Sequence, residues 1–241
     1  MKFAIVVFPG SNCDQDCGHV VRDVLGCEAV YVWHHEKDLQ DADAVILPGG
    51  FAYGDYLRAG AMARFSPVMD SVARFAAAGG PVVGICNGFQ ILCEARLLPG
   101  ALRVNKGLRY LCRDVFLRCD SDRTPWTRLF PPGEVVRMPI GHGDGNYTAS
   151  PEVLAELEAN GRIVFRYCDP SGRLTEEANP NGSDLSIAGI GNETGNVVGL
   201  MPHPDRCSES ILSNDAGLRM FRSCVEALAG AGAFPAIARR A

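Results

Sequence analysis

No C-x-x-C pair occurs anywhere in the chain, although ten of its 241 residues are cysteine. Without cysteines at metal or disulfide spacing, a structural zinc module and a disulfide-stapled scaffold are both disfavoured. Most of the thiols read instead as small buried apolar residues in a reducing cytoplasm, with one exception developed below. No apolar run approaches the roughly 20 residues that span a bilayer. The opening run Met1–Phe8 breaks at Pro9-Gly10. It is too short for a signal-peptide core and has no small-residue cleavage site, so a cytoplasmic protein is expected. There is no internal repeat, and no G-x-x-x-x-G-K-S/T loop to cradle nucleotide phosphates. The net charge of −5 argues against non-specific nucleic-acid binding, which needs clustered Lys and Arg.

What is present is the composition of a globular protein, 47% hydrophobic and 21% charged. A chain of this length buries a sizeable core without staples. Phe3–Phe8, Ala29–Trp33, Ala44–Leu47, Pro81–Ile85 and Asn196–Met201 are short apolar runs, as strands covered on both faces require. Helical patterns lie between them. One covers Asp14–Gly26, another runs from Ser66-Pro67, N-cap and first turn, to Gly79-Gly80, and a third begins at Phe89–Ala95. Strand–helix alternation of this kind predicts a flavodoxin-like α/β fold, an open, mostly parallel sheet with helices on both faces. Between Arg103 and Arg166 the pattern loosens. Asp114–Cys119 and Val135–Ile140 read there as antiparallel strands added to the same domain, with a helix at Pro151–Asn160. Asp215–Leu228 closes the fold as a helix. Residues 1–228 thus read as one domain, and Ala229–Ala241, rich in Ala and Gly, as a poorly ordered tail.

Ligands of open parallel sheets bind beyond the carboxyl ends of the strands. Four loops close apolar runs: Pro9–Asn12, Pro48–Phe51, Gly84–Gly88 and Pro202–Asp205. Gly84-Ile85-Cys86-Asn87-Gly88 is a G-x-C-x-G form of the nucleophile elbow, where flanking glycines avoid collision at a sharp strand-to-helix turn. The turn also puts the sulfur at a helix N-terminus, where unpaired N–H groups favour negative charge. An ordinary buried cysteine on a Gly-rich turn would use the same residues, so the elbow needs a base. Five histidines are available. His19 falls inside a helix, His34 and His35 end a strand, and His142 lies in a Gly-rich run. Only His203 both follows a buried strand and has a carboxylate, Asp205, two residues on, in a loop stiffened by Pro202 and Pro204. The Asn87 N–H and the Gly49-Gly50 turn are natural donors for an oxyanion hole.

Gly84–Gln90 with the later His203-Pro204-Asp205 resembles the class I glutamine amidotransferases, whose core is flavodoxin-like and whose catalytic triad is Cys-His-acid. Four further strings are similar to one branch of that family, the glutaminase subunits of phosphoribosylformylglycinamidine synthase: Pro9–Asp14, Pro48–Gly60, Ala178–Ser183 and Gly199–Pro204. The resemblance implies Cys86 as nucleophile, His203 as base and Asp205 as orienting acid. It also implies main-chain groups at Gly50, Phe51 and Asn87 and the side chain of Gln90 around a bound glutamine, with no metal. The implied reaction is hydrolysis of glutamine to glutamate and ammonia. The ammonia would pass to a synthetase subunit that converts formylglycinamide ribonucleotide to the amidine in purine synthesis. No cofactor is expected on this chain, ATP and magnesium belonging to that partner. The chain's size suits the separate-subunit form, in which a small third subunit bridges the two. In two places the sequence departs from the branch: Asp205 replaces a glutamate, and Gly141 and Asp144 vary a loop to which no role is assigned. An α/β-hydrolase would share the elbow, but there the acid and histidine come from separate strands, acid first. A non-catalytic relative would normally have lost the nucleophile or the base.

Overall fold

Strand β1 (Lys2–Val7) is covered on both faces, with Phe3, Ala4, Ile5 and Val6 fully buried. The structure, a computed structural model, describes residues 1–212 and 214–230. The expected tail therefore falls, from residue 231 on, outside the described residues. After β1 come α1 (Asp14–His19), which continues as a π-helical turn over Val20–Val24, then β2 (Glu28–Trp33) and β3 (Ala44–Leu47). Next are α2 (Pro67–Ala77), β4 (Val82–Ile85), α3 (Asn87–Glu94), β5 (Ala101–Arg103) and β6 (Leu111–Cys119). The chain goes on through β7 (Val135–His142), β8 (Asn146–Thr148), α4 (Pro151–Ala159), β9 (Ile163–Cys168), β10 (Ile187–Gly191), β11 (Val197–Leu200) and α5 (Ala216–Ala229). No helix among the described residues is long and apolar enough to cross a membrane.

Nine strands form one sheet in the order β2-β1-β3-β4-β11-β10-β9-β6-β7, while β5 and β8 pair separately. The pairs from β2 through β11 are parallel, and those from β11 onward antiparallel. The parallel half has the flavodoxin-like order, with its direction of winding reversing between β1 and β3. Right-handed crossovers to the left (β1–α1–β2) and to the right (β3–α2–β4) put α1 and α2 on opposite faces. The carboxyl ends of β1, β3, β4 and β11 therefore lie side by side, and the four loops picked from sequence share one edge.

Ser66 holds the N-cap position of α2, but its hydroxyl makes no cap bond. It bonds instead to the Tyr53 hydroxyl at 2.9 Å, tying the loop after β3 to α2. Strands β9 and β10 escaped the sequence reading. All six residues of β9 are buried, Arg166 included, so a charge interrupts its apolar pattern. That guanidinium is satisfied by Asp120 at 2.7 Å, Glu158 at 2.8 Å and the Leu185 carbonyl at 2.8 Å. In β10, Gly189 and Gly191 read as turn residues, yet a Cβ at Gly189 would stand 2.8 Å from Leu200 Cβ.

The elbow glycines are required by close approach. A Cβ on Gly84 would stand 2.6 Å from the Gly88 carbonyl carbon, and one on Gly88 would overlap the Leu47 carbonyl at the end of β3. The first turn of α3 thus lies directly against β3. We predict that Gly88→Ala destabilises the protein by about 3 kcal/mol or more. Gly107→Ala, where a Cβ meets nothing within 4 Å, should change stability by only about 0.5 kcal/mol. Urea unfolding midpoints check both, and equal midpoints would refute the packing argument.

Candidate active site

Cys86 sits between the last residue of β4 and the first of α3 with φ 50° and ψ −103°. A non-glycine residue held at such angles costs about 1–3 kcal/mol and persists only where its surroundings enforce it. Here the Cys86 N–H donates to the Leu200 carbonyl at 2.8 Å, and the Cys86 carbonyl accepts from Gln90 N–H at 3.2 Å. The backbone is pinned on both sides, and the residue is 5% exposed. Its Sγ lies 3.6 Å from the Gly141 carbonyl at the end of β7.

Strand β11 pairs with β4 in parallel, with Leu200 opposite Ile85. The residues just past each end are therefore neighbours, which brings His203 to Cys86. The His203 N–H donates to the Pro139 carbonyl at 2.8 Å, fixing the loop against β7. The His203 and Asp205 side chains are 2% and 0% exposed. Imidazole Nδ1 lies 3.3 Å from one Asp205 oxygen and 3.4 Å from the other. Nε2 is buried and has no hydrogen-bond partner, so that edge of the ring is free. Burial disfavours charge on His203, but Asp205 first and then Cys86 outweigh it. Together they hold the imidazole well above its usual pKa. The loops bearing Cys86 and His203 thus lie at the ends of adjacent strands, with a carboxylate behind the ring.

A second thiol, which the sequence offered only as an apolar filler, joins this cluster. Cys13, 1% exposed, precedes α1. Arg206 Nη2 donates to its sulfur at 3.0 Å, and the sulfur donates to Asn12 Oδ1 at 3.1 Å. The sulfur, a ring nitrogen of His203 and a carboxylate oxygen of Asp205 all lie within 4.8 Å of one another. Three such atoms form a conceivable metal-ligand set, but the Arg206 guanidinium already occupies the sulfur as its cation. These contacts make a hydrogen-bonded network around Cys13. No short motif links Cys13 to Arg206, which are 193 residues apart.

On the other side of Cys86, the expected glutamine-binding groups are near the elbow with altered roles. Phe51 N–H is not available for an oxyanion, because it donates to the Gly10 carbonyl at 2.9 Å. Gly50 N–H makes no hydrogen bond among the described residues, and Asn87 N–H opens α3 without a partner four residues back. The Asn87 side chain accepts from Ala52 N–H at 3.1 Å and donates to Gln90 Oε1 at 2.9 Å. Gln90 Nε2 in turn donates to the Asp144 carbonyl at 2.7 Å. A polar chain therefore fastens the loop after β3 to the first turn of α3 and on to the segment after β7. Gly49 is needed where it stands, since a Cβ there would reach 2.7 Å from His203 Cε1.

The region left without a role in sequence supplies one wall. Gly141 accepts from Cys86, and His142 beside it is buried and bonded through Nδ1 to Asn105 Oδ1 at 3.1 Å. Burial, with the neighbouring charge of His203, pushes His142 down to about 4, so it stays neutral. The Ala178–Ser183 string buttresses the same wall. Asn181 Nδ2 donates to the Gly145 carbonyl at 2.7 Å, and Ser183 Oγ accepts from Tyr147 N–H at 3.1 Å. Of the other histidines, His34 is buried and bonded to the Tyr53 hydroxyl at 2.7 Å, a brace for the loop after β3. His19 pairs at the surface with Asp23 and Glu209 at 3.0 and 2.8 Å.

Residues 1–226 match the CobB/CobQ-like glutamine amidotransferase domain. The phosphoribosylformylglycinamidine synthase subunit PurQ of Salinibacter ruber is 55% identical over 222 residues, 92% of this chain and 94% of that one. The subunit of the same name from Methanosarcina barkeri is 55% identical over 226 residues, 94% of this chain and 97% of that one. Among solved structures, a chain in the structure of PurLQS from Thermotoga maritima matches with a TM-score of 0.83 at 41% identity, covering 94% of this chain and 98% of that one. A glutamine amidotransferase from the same organism, 16% identical with a TM-score of 0.59 over 96% of this chain and 99% of that one, shares the fold. The chain belongs to the CobB/CobQ-like glutamine amidotransferases, in the branch of the phosphoribosylformylglycinamidine synthase subunits.

Proposed function

We propose that this chain hydrolyses glutamine through a Cys86 thioester and passes the ammonia to a synthetase subunit. The observation that carries this reading is the strained Cys86 elbow beside a buried histidine whose Nε2 has no partner of its own. In the reactive form the sulfur is a thiolate and His203 an imidazolium. The thiolate attacks the carboxamide carbon, and the N–H groups of Gly50 and Asn87 take the charge that develops on oxygen. His203 gives its proton to the departing ammonia as the C–N bond breaks. Neutral His203 then deprotonates a water that attacks the thioester, and glutamate leaves as the thiolate reforms. Asp205 keeps the ring oriented throughout, and Gln90 and the Asn87 side chain hold the wall beside the substrate.

The relatives' name supports a finer reading. In it, the ammonia goes to a synthetase subunit that uses ATP to convert formylglycinamide ribonucleotide to the amidine in purine synthesis. ATP and magnesium are proposed for that partner, as the resemblance implies. A synthetase and a small bridging subunit are the proposed partners, a reading supported by the likeness to a chain of PurLQS. Ten unpaired cysteines suit the proposed cytoplasmic setting.

Cys86→Ala is expected to abolish glutamine-dependent synthesis by the assembled complex while ammonia-dependent synthesis persists. Loss of both in a correctly assembled complex would overturn the division of labour. Asp205→Asn should lower kcat by on the order of 10²-fold or more, whereas Asp205→Glu stays near the parent enzyme. Equal rates for all three would remove Asp205 from the role of orienting acid. Phe51, Tyr56, Leu57 and Phe65 stand exposed on the segment that carries Gly50. Adding the synthetase subunit to the isolated chain should therefore raise glutaminase turnover about 10-fold or more. Full activity of the chain alone would contradict this.

A further inference from the structure

Cys13 is placed where the glutaminase scheme above has no use for it. Its surroundings are not those of an apolar filler: an imidazole, a carboxylate and a guanidinium converge on one buried sulfur. The sulfur is held in place from several directions. Cys13 N–H donates to the Gly49 carbonyl at 3.2 Å, Arg206 donates to the sulfur, and a Cβ on Gly49 would stand 3.0 Å from it. That same Cβ would stand 3.5 Å from His203 Nδ1, so Gly49 is the gap through which thiol and ring approach each other.

The acid opposite is slack. Charge-assisted N–H···O bonds run at about 2.7–2.9 Å, whereas His203 Nδ1 lies 3.3 and 3.4 Å from the two Asp205 oxygens. Oδ1 of Asp205, in a side chain that is 0% exposed, has no hydrogen-bond partner. One carboxylate at that separation leaves the ring free to tilt, and a tilt at Nδ1 displaces Nε2 relative to Cys86.

We propose that Cys13 is a positioning residue for His203. Its sulfur, anchored by Arg206, braces the Nδ1 edge of the imidazole and takes up the slack that the short Asp205 side chain leaves. The inference rests on the glutaminase reading, because it concerns the base of that reaction.

The brace is electrostatic as well as steric. The ionisable groups around His203 are Asp205 and Arg206 on its own loop, Cys13 and Asp16 from the α1 side, Cys86 from α3, His142 from β7, Tyr110 before β6, and Cys207. Burial lowers the imidazole pKa, while Asp205, Cys86 and the nearby Cys13 sulfur raise it. Removing the sulfur therefore lowers the pKa, and the imidazolium that protonates ammonia is lost at a lower pH. The basic limb of the pH–rate profile, where the His203 proton is lost, must move down with it.

The test measures glutamate release by the chain assembled with its synthetase partner. Cys13→Ala should lower kcat by about 10–100-fold, leave KM for glutamine within twofold, and move the basic limb to lower pH. Cys13→Ser, which keeps a polar atom in place, should retain more kcat than Cys13→Ala. Adding Asp205→Glu to Cys13→Ala should restore most of the lost kcat, because the longer acid reaches Nδ1 without the brace. Parent kcat and an unmoved pH profile in both single variants would overturn the proposal. So would a loss of kcat with an unmoved profile that Asp205→Glu does not restore, which would mark Cys13 as packing only. Ammonia-dependent synthesis by the same complexes reports correct assembly. Glutaminase activity surviving in Cys86→Ala would instead refute the reaction itself, an outcome independent of the Cys13 variants.

Discussion

The site depends on the parallel pairing of β4 with β11, set in register by Leu200 opposite Ile85. The two strands come from distant parts of the chain, and their adjacency alone makes the residues past their ends neighbours. The Cys86 N–H caps that pairing by donating to Leu200. The strained elbow conformation is thus enforced by the same ladder that brings up the histidine. The space for it comes from Gly84 and Gly88, which let α3 press against β4 and the end of β3. Backbone geometry, rather than side-chain chemistry, decides where the sulfur points.

Around that frame the charges arrange themselves by burial. His203 and Asp205 are almost completely excluded from water, and an unpaired charge there would be costly. Asp205 on one edge and Cys86 near the other raise the imidazole pKa against the burial that lowers it. Arg206, itself partly exposed, ties the cluster to α1 through Cys13 and lies 3.7 Å from Asp16. The neutral His142 close by adds no competing charge. A site built this way places a single ionisable pair at the substrate and buffers it with fixed polar contacts behind.

Much of this was legible in the sequence, because buried parallel strands are short apolar runs that end at Gly or Pro. Pro48 and Pro202 mark such ends, Gly84 stands one residue before another, and the chemistry-bearing residues follow within a few positions. The loops that carry Cys86, His203 and Asp205 are therefore readable from local strings as neighbours on one sheet edge. Contacts that join distant strings are not. Cys13 carries no sign of its partner Arg206, and Gly141 no sign that it faces Cys86. Phe51 was expected among the glutamine-binding groups, but its amide is spent on Gly10, a pairing that only the folded loops reveal. Strands β9 and β10 hid behind a buried arginine and two glycines, each explained by tertiary partners rather than by strand propensity.

Of ten cysteines, Cys86 is the proposed nucleophile. Its most direct test is rapid acid quenching of the complex during turnover of glutamine, followed by peptide mapping of the covalent γ-glutamyl adduct. A single thioester is expected, on the peptide containing Cys86, and it disappears once glutamine is exhausted. An adduct on any other cysteine, or steady turnover with no acyl-enzyme at Cys86, would contradict this assignment.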